Sequence, residues 1–239
     1  MLSNRLLVMQ QAHSRLMAPR LGVFRSSVGT KIVIGITGVA LFLYLLIHIA
    51  GNLMVFFGPS VFNKYAHALE GNPLIPIIEI GLLLIFVIHV YKTVKMYLAN
   101  QAARPVRYAQ KNFAGSPSRK TVASSTMILS GLWLLIFIII HVKMFRYGTE
   151  YAWPAGSRDL YRLEMEHFAI PLTVAFYVVS MIVVGSHLWH GVVSSAQSLG
   201  APWPSRARGP LLVGKTLAVL VAGGFIVITL WAHFVGGRL

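Results

Sequence analysis

The chain contains no cysteine. That excludes a cysteine-ligated iron–sulfur cluster, a disulfide framework and thioether attachment of a prosthetic group within it. Charge is scarce as well. Only 11% of its 239 residues are charged and 56% are hydrophobic, where soluble domains carry about 25% charged residues. The composition cannot cover a large aqueous surface. Acids are scarcest of all, six Asp and Glu against 21 Lys and Arg, for a net charge of +15. A balance of that sign can mark a nucleic-acid binder, but here the basic residues lie in short segments between long apolar runs. That pattern points instead to anionic lipid headgroups and a docked soluble partner, not to nucleic acid.

Five apolar runs are present, at about 31–57, 74–98, 122–145, 169–195 and 210–235. Each meets or exceeds the ~20 residues that a helix needs to cross a ~30 Å hydrocarbon core. Gly58-Pro59, Pro73, a polar stretch from Gln101 to Lys120, Tyr147 to Glu166, and Pro202 with Pro204 separate them. The expected fold is an all-α integral membrane bundle of five transmembrane helices, one domain over 1–239. Residues 1–30 carry Arg5, Arg15, Arg20 and Arg25 and no acid. A transit peptide can share this composition; the segment is read here as a cytoplasmic amphipathic stretch lying along the membrane surface.

Fifteen of the 21 basic residues fall on the face that bears the N-terminus, and all six acids fall toward the other. The positive-inside rule puts the N-terminal face in the cytoplasm, as for a multi-pass protein of a bacterial plasma membrane. Five spans then put the C-terminus outside.

The first four spans each carry a histidine in their last third: His48, His89, His141 and His187. Successive spans run in opposite directions, so the late position alternates between faces. At ~1.5 Å per residue, His48 and His141 lie roughly 26 and 28 Å from the inner boundary, and His89 and His187 roughly 22 and 27 Å from the outer one. One intramembrane histidine is readily a hydrogen-bonded core residue. Two pairs at two depths are what two stacked haems need, each iron gripped by an imidazole from either side. Gly51, Gly185 and Gly191 would let a porphyrin approach a helix backbone, though small residues serve helix packing equally. His190, three residues beyond His187, competes with it as ligand; His187 lies deeper in the apolar run, and His190 is placed to reach a propionate. Arg25, Ser26, Ser27 and Lys31 stand at the inner edge of the first span, where they suit propionates, a docked subunit or simple anchoring. His13, His67, His167 and His233 are read as surface, connecting or interfacial residues. The first four spans also share a loose hairpin plan.

Several stretches carry a family likeness: Ser26–Gly38 (SSVGTKIVIGITG), Leu46–Leu53 (LIHIAGNL), Phe62–Leu69 (FNKYAHAL) and His187–Gly191 (HLWHG). In this order and spacing the chain resembles the type B cytochrome b membrane-anchor subunit of succinate:quinone oxidoreductases, the succinate dehydrogenases and fumarate reductases. The resemblance covers almost the whole chain. It implies an anchor for a flavoprotein subunit and an iron–sulfur subunit on the cytoplasmic side. It implies two haem b groups, with His89 and His187 holding the inner one and His48 and His141 the outer. It also implies quinone chemistry, usually with menaquinone, near an acidic residue at the outer start of the second helix. Glu70 fits by its spacing from His48, and Glu79 is the other candidate; either could pass protons to a quinone. Three alternatives remain open: a dihaem cytochrome b of another respiratory complex, a haem-free anchor, and a transporter with histidines in a proton path.

Overall fold

The computed structural model describes residues 26–103, 126–154, 157–201 and 208–236. It is an all-α bundle in which five helices are long and apolar enough to cross a membrane. Helix α1 spans Ser27–Asn52, α2 Pro59–Glu70, α3 Ile75–Ala102, α4 Met127–Phe145, α5 Leu160–Ala169, α6 Pro171–Ser198 and α7 Arg208–Phe234. The surface segment expected over 1–30 lies outside the described residues up to residue 25, Arg25 included. Its last residues are instead the cap and first turn of α1. Ser26 is the N-cap, its Oγ accepting from Gly29 N at 3.0 Å, so the first span starts earlier than the apolar run suggested.

Each boundary has a local cause. A 3-10 turn over Leu53–Phe57 closes α1. Gly58 follows with φ of 85°, a left-handed conformation that glycine adopts without steric cost, and Pro59 opens α2. Proline also sits in the first turn of α3 and of α6, where its missing N–H costs nothing.

Two elements are absent from the sequence expectation. The stretches after the first and third spans are not plain connections: each folds into a short amphipathic helix, α2 and α5. Together they cap one end of the bundle. Asn63 on α2, fully buried, joins them. Its Nδ2 donates to Asp159 Oδ1 at 2.7 Å and its Oδ1 accepts from Tyr161 N at 2.9 Å. Asp159 caps α5 by accepting from Arg162 N at 3.0 Å. A two-stranded antiparallel ladder, β1 (Ala152–Trp153) with β2 (Ser157–Arg158), precedes α5. The buried core lies under this cap, where Phe137, Tyr161, Phe168, Tyr177, Met181 and Ile228 meet between α4, α5, α6 and α7. The exposed surface of the spans is apolar, α3 burying none of its residues, as suits a lipid environment.

Candidate functional site

Antiparallel packing of α3 on α1 and of α6 on α4 brings the four span histidines into two pairs. At the capped end the His48 and His141 rings stand 5.9 Å apart, centroid to centroid, and nearly perpendicular at 84°. His89 and His187 lie at the opposite end, close enough to act on one another electrostatically.

Each ring is oriented by a neighbour at Nδ1. His89 Nδ1 lies 2.9 Å from Thr37 Oγ1, and that hydroxyl is directed at the carbonyls of Val33 and Ile34 at 2.7 and 3.1 Å. His187 Nδ1 lies 2.9 Å from Ser130 Oγ, which donates to Met127 O at 3.0 Å. A hydroxyl has one proton. Since it is spent on the helix carbonyl, Thr37 and Ser130 each accept from imidazole Nδ1–H. The proton is thereby held at Nδ1, and Nε2 is left as a bare lone pair. At His141 the direction is not fixed in this way: Nδ1 is 3.1 Å from Tyr177 Oη, whose other neighbour is the weak acceptor Met144 Sδ at 3.9 Å. His48 differs: Asn52 Nδ2 is 3.4 Å from its Nδ1 and donates to its carbonyl at 2.8 Å. Ligation through Nε2 would ask Asn52 to present its Oδ1 there instead.

The hydroxyl partners reveal a repeat tighter than the loose hairpin plan. Thr37-Gly38 precedes His48 by the same interval as Ser130-Gly131 precedes His141, a hydroxyl, a glycine, nine residues and a histidine in both cases. Eleven residues are three helical turns, about 16 Å, so hydroxyl and histidine share one face. Each of α1 and α4 thus offers a ligand at one level and a bracket for a partner helix's ligand at the other. The glycines belong to the bracket. A Cβ on Gly38 would come within 3.3 Å of His89 Cε1, and one on Gly131 within 3.8 Å of His187 Cε1.

The donor set selects what such a site can hold. Among the described residues no group of three or more His, Cys, Asp or Glu converges to build a metal site from protein ligands alone. Paired imidazoles suit an ion that brings its remaining ligands with it, as a porphyrin does. Two metal–nitrogen bonds of the ~2 Å that imidazole makes would set facing rings about 6 Å apart, which matches the spacing of His48 and His141.

Other expected residues fall in varied places. His190 is half-buried with no hydrogen bond among the described residues, whereas His187 is held by Ser130. Ser26 is engaged in capping. Ser27 is exposed, and Lys31 lines an opening of about 270 Å³ with Ile34, Met96, Ser194, Gln197 and Ser198. Glu79 pairs with Arg146 at 3.2 Å and acts electrostatically on Tyr44, whose ring stacks on His48 at 5.4 Å. Glu70 ends α2 exposed and without an ion pair among the described residues. His233 Nδ1 donates to Phe168 O at 2.7 Å and pins α7 to the cap. The sequence reading missed Thr37, Ser130 and Tyr177; its only available signal was the matched spacing of two hydroxyl–glycine steps. No family model, curated protein or solved structure matches this chain.

Proposed function

We propose that this chain is the dihaem cytochrome b anchor of a succinate:quinone oxidoreductase, the membrane subunit through which an iron–sulfur subunit and a membrane quinone exchange electrons. The observation that carries the reading is the double bracket: two histidine pairs at two levels, with three of the four rings meeting a hydroxyl at Nδ1. The sequence resemblance supplies the family. The charge asymmetry supports an orientation with the capped end outside and the basic end in the cytoplasm, where flavoprotein and iron–sulfur subunits would dock.

In this reading His89 and His187 hold the inner haem b, and His48 and His141 the outer. Bound haem supplies a one-electron carrier at each level. The chain's own residues do the rest. Thr37 and Ser130 fix ring orientation and raise ligand basicity by accepting a hydrogen bond from Nδ1–H, a role that partners of metal-bound histidine commonly have, and Tyr177 orients the His141 ring. Lys31 offers a cation to propionates at the inner edge. Glu79, beside Tyr44 and Arg146, is the better placed of the two acids to exchange protons with a quinone near His48, menaquinone being the type the family favours.

A reduced-minus-oxidised spectrum and a pyridine haemochrome assay of the purified complex test this. Two haems b per chain are expected, with copurifying flavoprotein and iron–sulfur subunits. A preparation without porphyrin overturns the haem reading. Two haems with a different soluble partner would assign the chain to another respiratory complex.

A further inference from the structure

Helices α6 and α7 leave a groove of about 360 Å³ on the apolar outer surface, with Met181, Gly185, Trp189, Ala222, Gly223 and Ile226 in its lining. Its floor is a close helix contact: a Cβ on Gly185 would come within 3.1 Å of the Ala222 Cβ. At Gly223 an added Cβ would meet nothing within 4 Å, so the space above the floor is open. Ser186 in the wall spends its proton on Val183 O at 3.0 Å and makes no polar demand on an occupant. From Trp189 to Met181 the groove runs about 12 Å along the helix axis, against ~15 Å for half of a ~30 Å hydrocarbon core. It therefore follows most of the depth of one leaflet.

A cation stands at the groove's inner end. Lys215 Nζ lies 4.6 Å from the centroid of the Trp189 ring. Lys215 is half-buried and has no ion pair among the described residues. The chain offers it no carboxylate at this end: Glu70, Glu79, Glu150, Asp159, Glu164 and Glu166, all its acids, lie toward the capped end. A second copy seated on the groove in the same orientation would bring Lys215 only further cations. A phosphate brings the missing negative charge, and a phospholipid carries phosphate and apolar chain together at this depth. Tryptophan at the headgroup level and lysine drawn to anionic headgroups mark that boundary in membrane proteins.

We propose that this groove binds one anionic phospholipid from the leaflet at the basic end. The lipid phosphate sits on Lys215 beside Trp189, and one acyl chain runs along Gly185, Gly223 and Ile226. The site needs no haem and stands apart from the function proposed above. A zwitterionic lipid fits the same groove but gains less from Lys215, because its headgroup carries no net charge. One cation near an anionic headgroup is worth about fivefold in affinity, which sets the size of the expected preference.

The test reconstitutes the full chain, with the subunits that copurify, into vesicles of equal parts phosphatidylglycerol and phosphatidylcholine with matched chains. One lipid at a time carries a photoactivatable acyl chain, and labelled positions are mapped by peptide mass spectrometry. Labelling should fall on 181–189 and 219–226, about fivefold more strongly with the phosphatidylglycerol probe. Lys215→Gln should bring the two probes level, and Lys215→Arg should keep the preference. Gly223→Leu, which fills open space, should cut labelling by both probes several-fold. Lys95→Gln, a cation toward the same end on α3, should leave the preference in place. Equal labelling by the two probes, a preference that survives Lys215→Gln, or one lost as fully in Lys95→Gln overturns the proposal. So does labelling untouched by Gly223→Leu, or a groove that takes neither probe, as a second copy seated there would give. A preparation without haem sinks the dihaem reading and leaves the expected labelling unchanged.

Discussion

Thr37→Val isolates one bracket. Valine keeps the branched shape and replaces the hydroxyl with a methyl, so His89 keeps its packing and loses only the acceptor at Nδ1. Thr37 is 8% exposed, so water cannot readily replace it. A buried donor left without an acceptor costs about 1–3 kcal/mol, the same scale as the 10–100-fold loss of metal affinity that follows removal of a histidine's outer partner. The inner haem should therefore be lost about 10–100 times more readily on dilution or detergent exchange, while the outer haem stays in place. Whatever inner haem remains should titrate at a higher midpoint, because a less basic imidazole stabilises the ferric state less. Ser130→Ala should reproduce both effects by acting on the opposite ligand, and Thr37→Ser should restore them. The assays are haem stoichiometry and a redox titration resolved into two components. A Thr37→Val complex that titrates as the unmodified one does, or in which the outer component moves instead, would refute the bracket argument.

Three further outcomes are expected. His89→Leu should remove the inner haem and leave the outer, and His141→Leu the reverse, each halving the pyridine haemochrome signal; unchanged haem content would contradict the pairing. Glu79→Gln should lower quinone turnover by at least an order of magnitude with both haems retained, whereas Glu70→Gln should leave turnover near normal, and equal effects would remove the distinction drawn from the Glu79–Arg146–Tyr44 placement. The exposed Glu79–Arg146 pair contributes less than about 1 kcal/mol, so the Gln variant should melt normally. Glu164 should also make the fold less stable as pH rises. Its folded value of about 8 exceeds the ~4.3 of an unfolded glutamate, so the folded state binds the proton that the unfolded state releases. Stability is then full below the unfolded value and declines up to about pH 8, a total of roughly 5 kcal/mol. Melting temperatures of Glu164→Gln should vary less over that range; an identical profile would show that the carboxyl is not buried.

The spans were legible because long apolar runs have one solution in a bilayer, and the four histidines stood out because hydrocarbon makes such residues costly. The capping helices were not. PSVFNKYAHALE and LYRLEMEHFA are too short and polar to stand out, and their amphipathic faces matter only once they fold back over the bundle. Glu164 illustrates the loss. By sequence it is one of several acids in an outer connection, and only the closure of α5 on α6 and α7 turns it inward. Thr37 and Ser130 were invisible for another reason. Hydroxyl residues are ordinary in transmembrane helices, where they bond their own carbonyls, and nothing in one dimension says which of them also meets a histidine three turns away from the next.

The two levels share a scaffold but not a proton environment. At the inner level the hydroxyl protons of Thr37 and Ser130 are committed to the carbonyls of Val33 and Met127. A helix carbonyl already inside its own ladder passes a proton nowhere, so the inner brackets orient a ring and relay no proton. At the outer level Tyr177 Oη faces the thioether of Met144, a weak acceptor, and the free carboxyl of Glu164 acts on it. Electron transfer needs no proton, but quinone chemistry does. On the dihaem reading proposed above, the inner level, whose hydroxyl protons are committed, is the one assigned electron transfer alone, and the capped end, where a hydroxyl meets a weaker acceptor, is the one assigned proton chemistry.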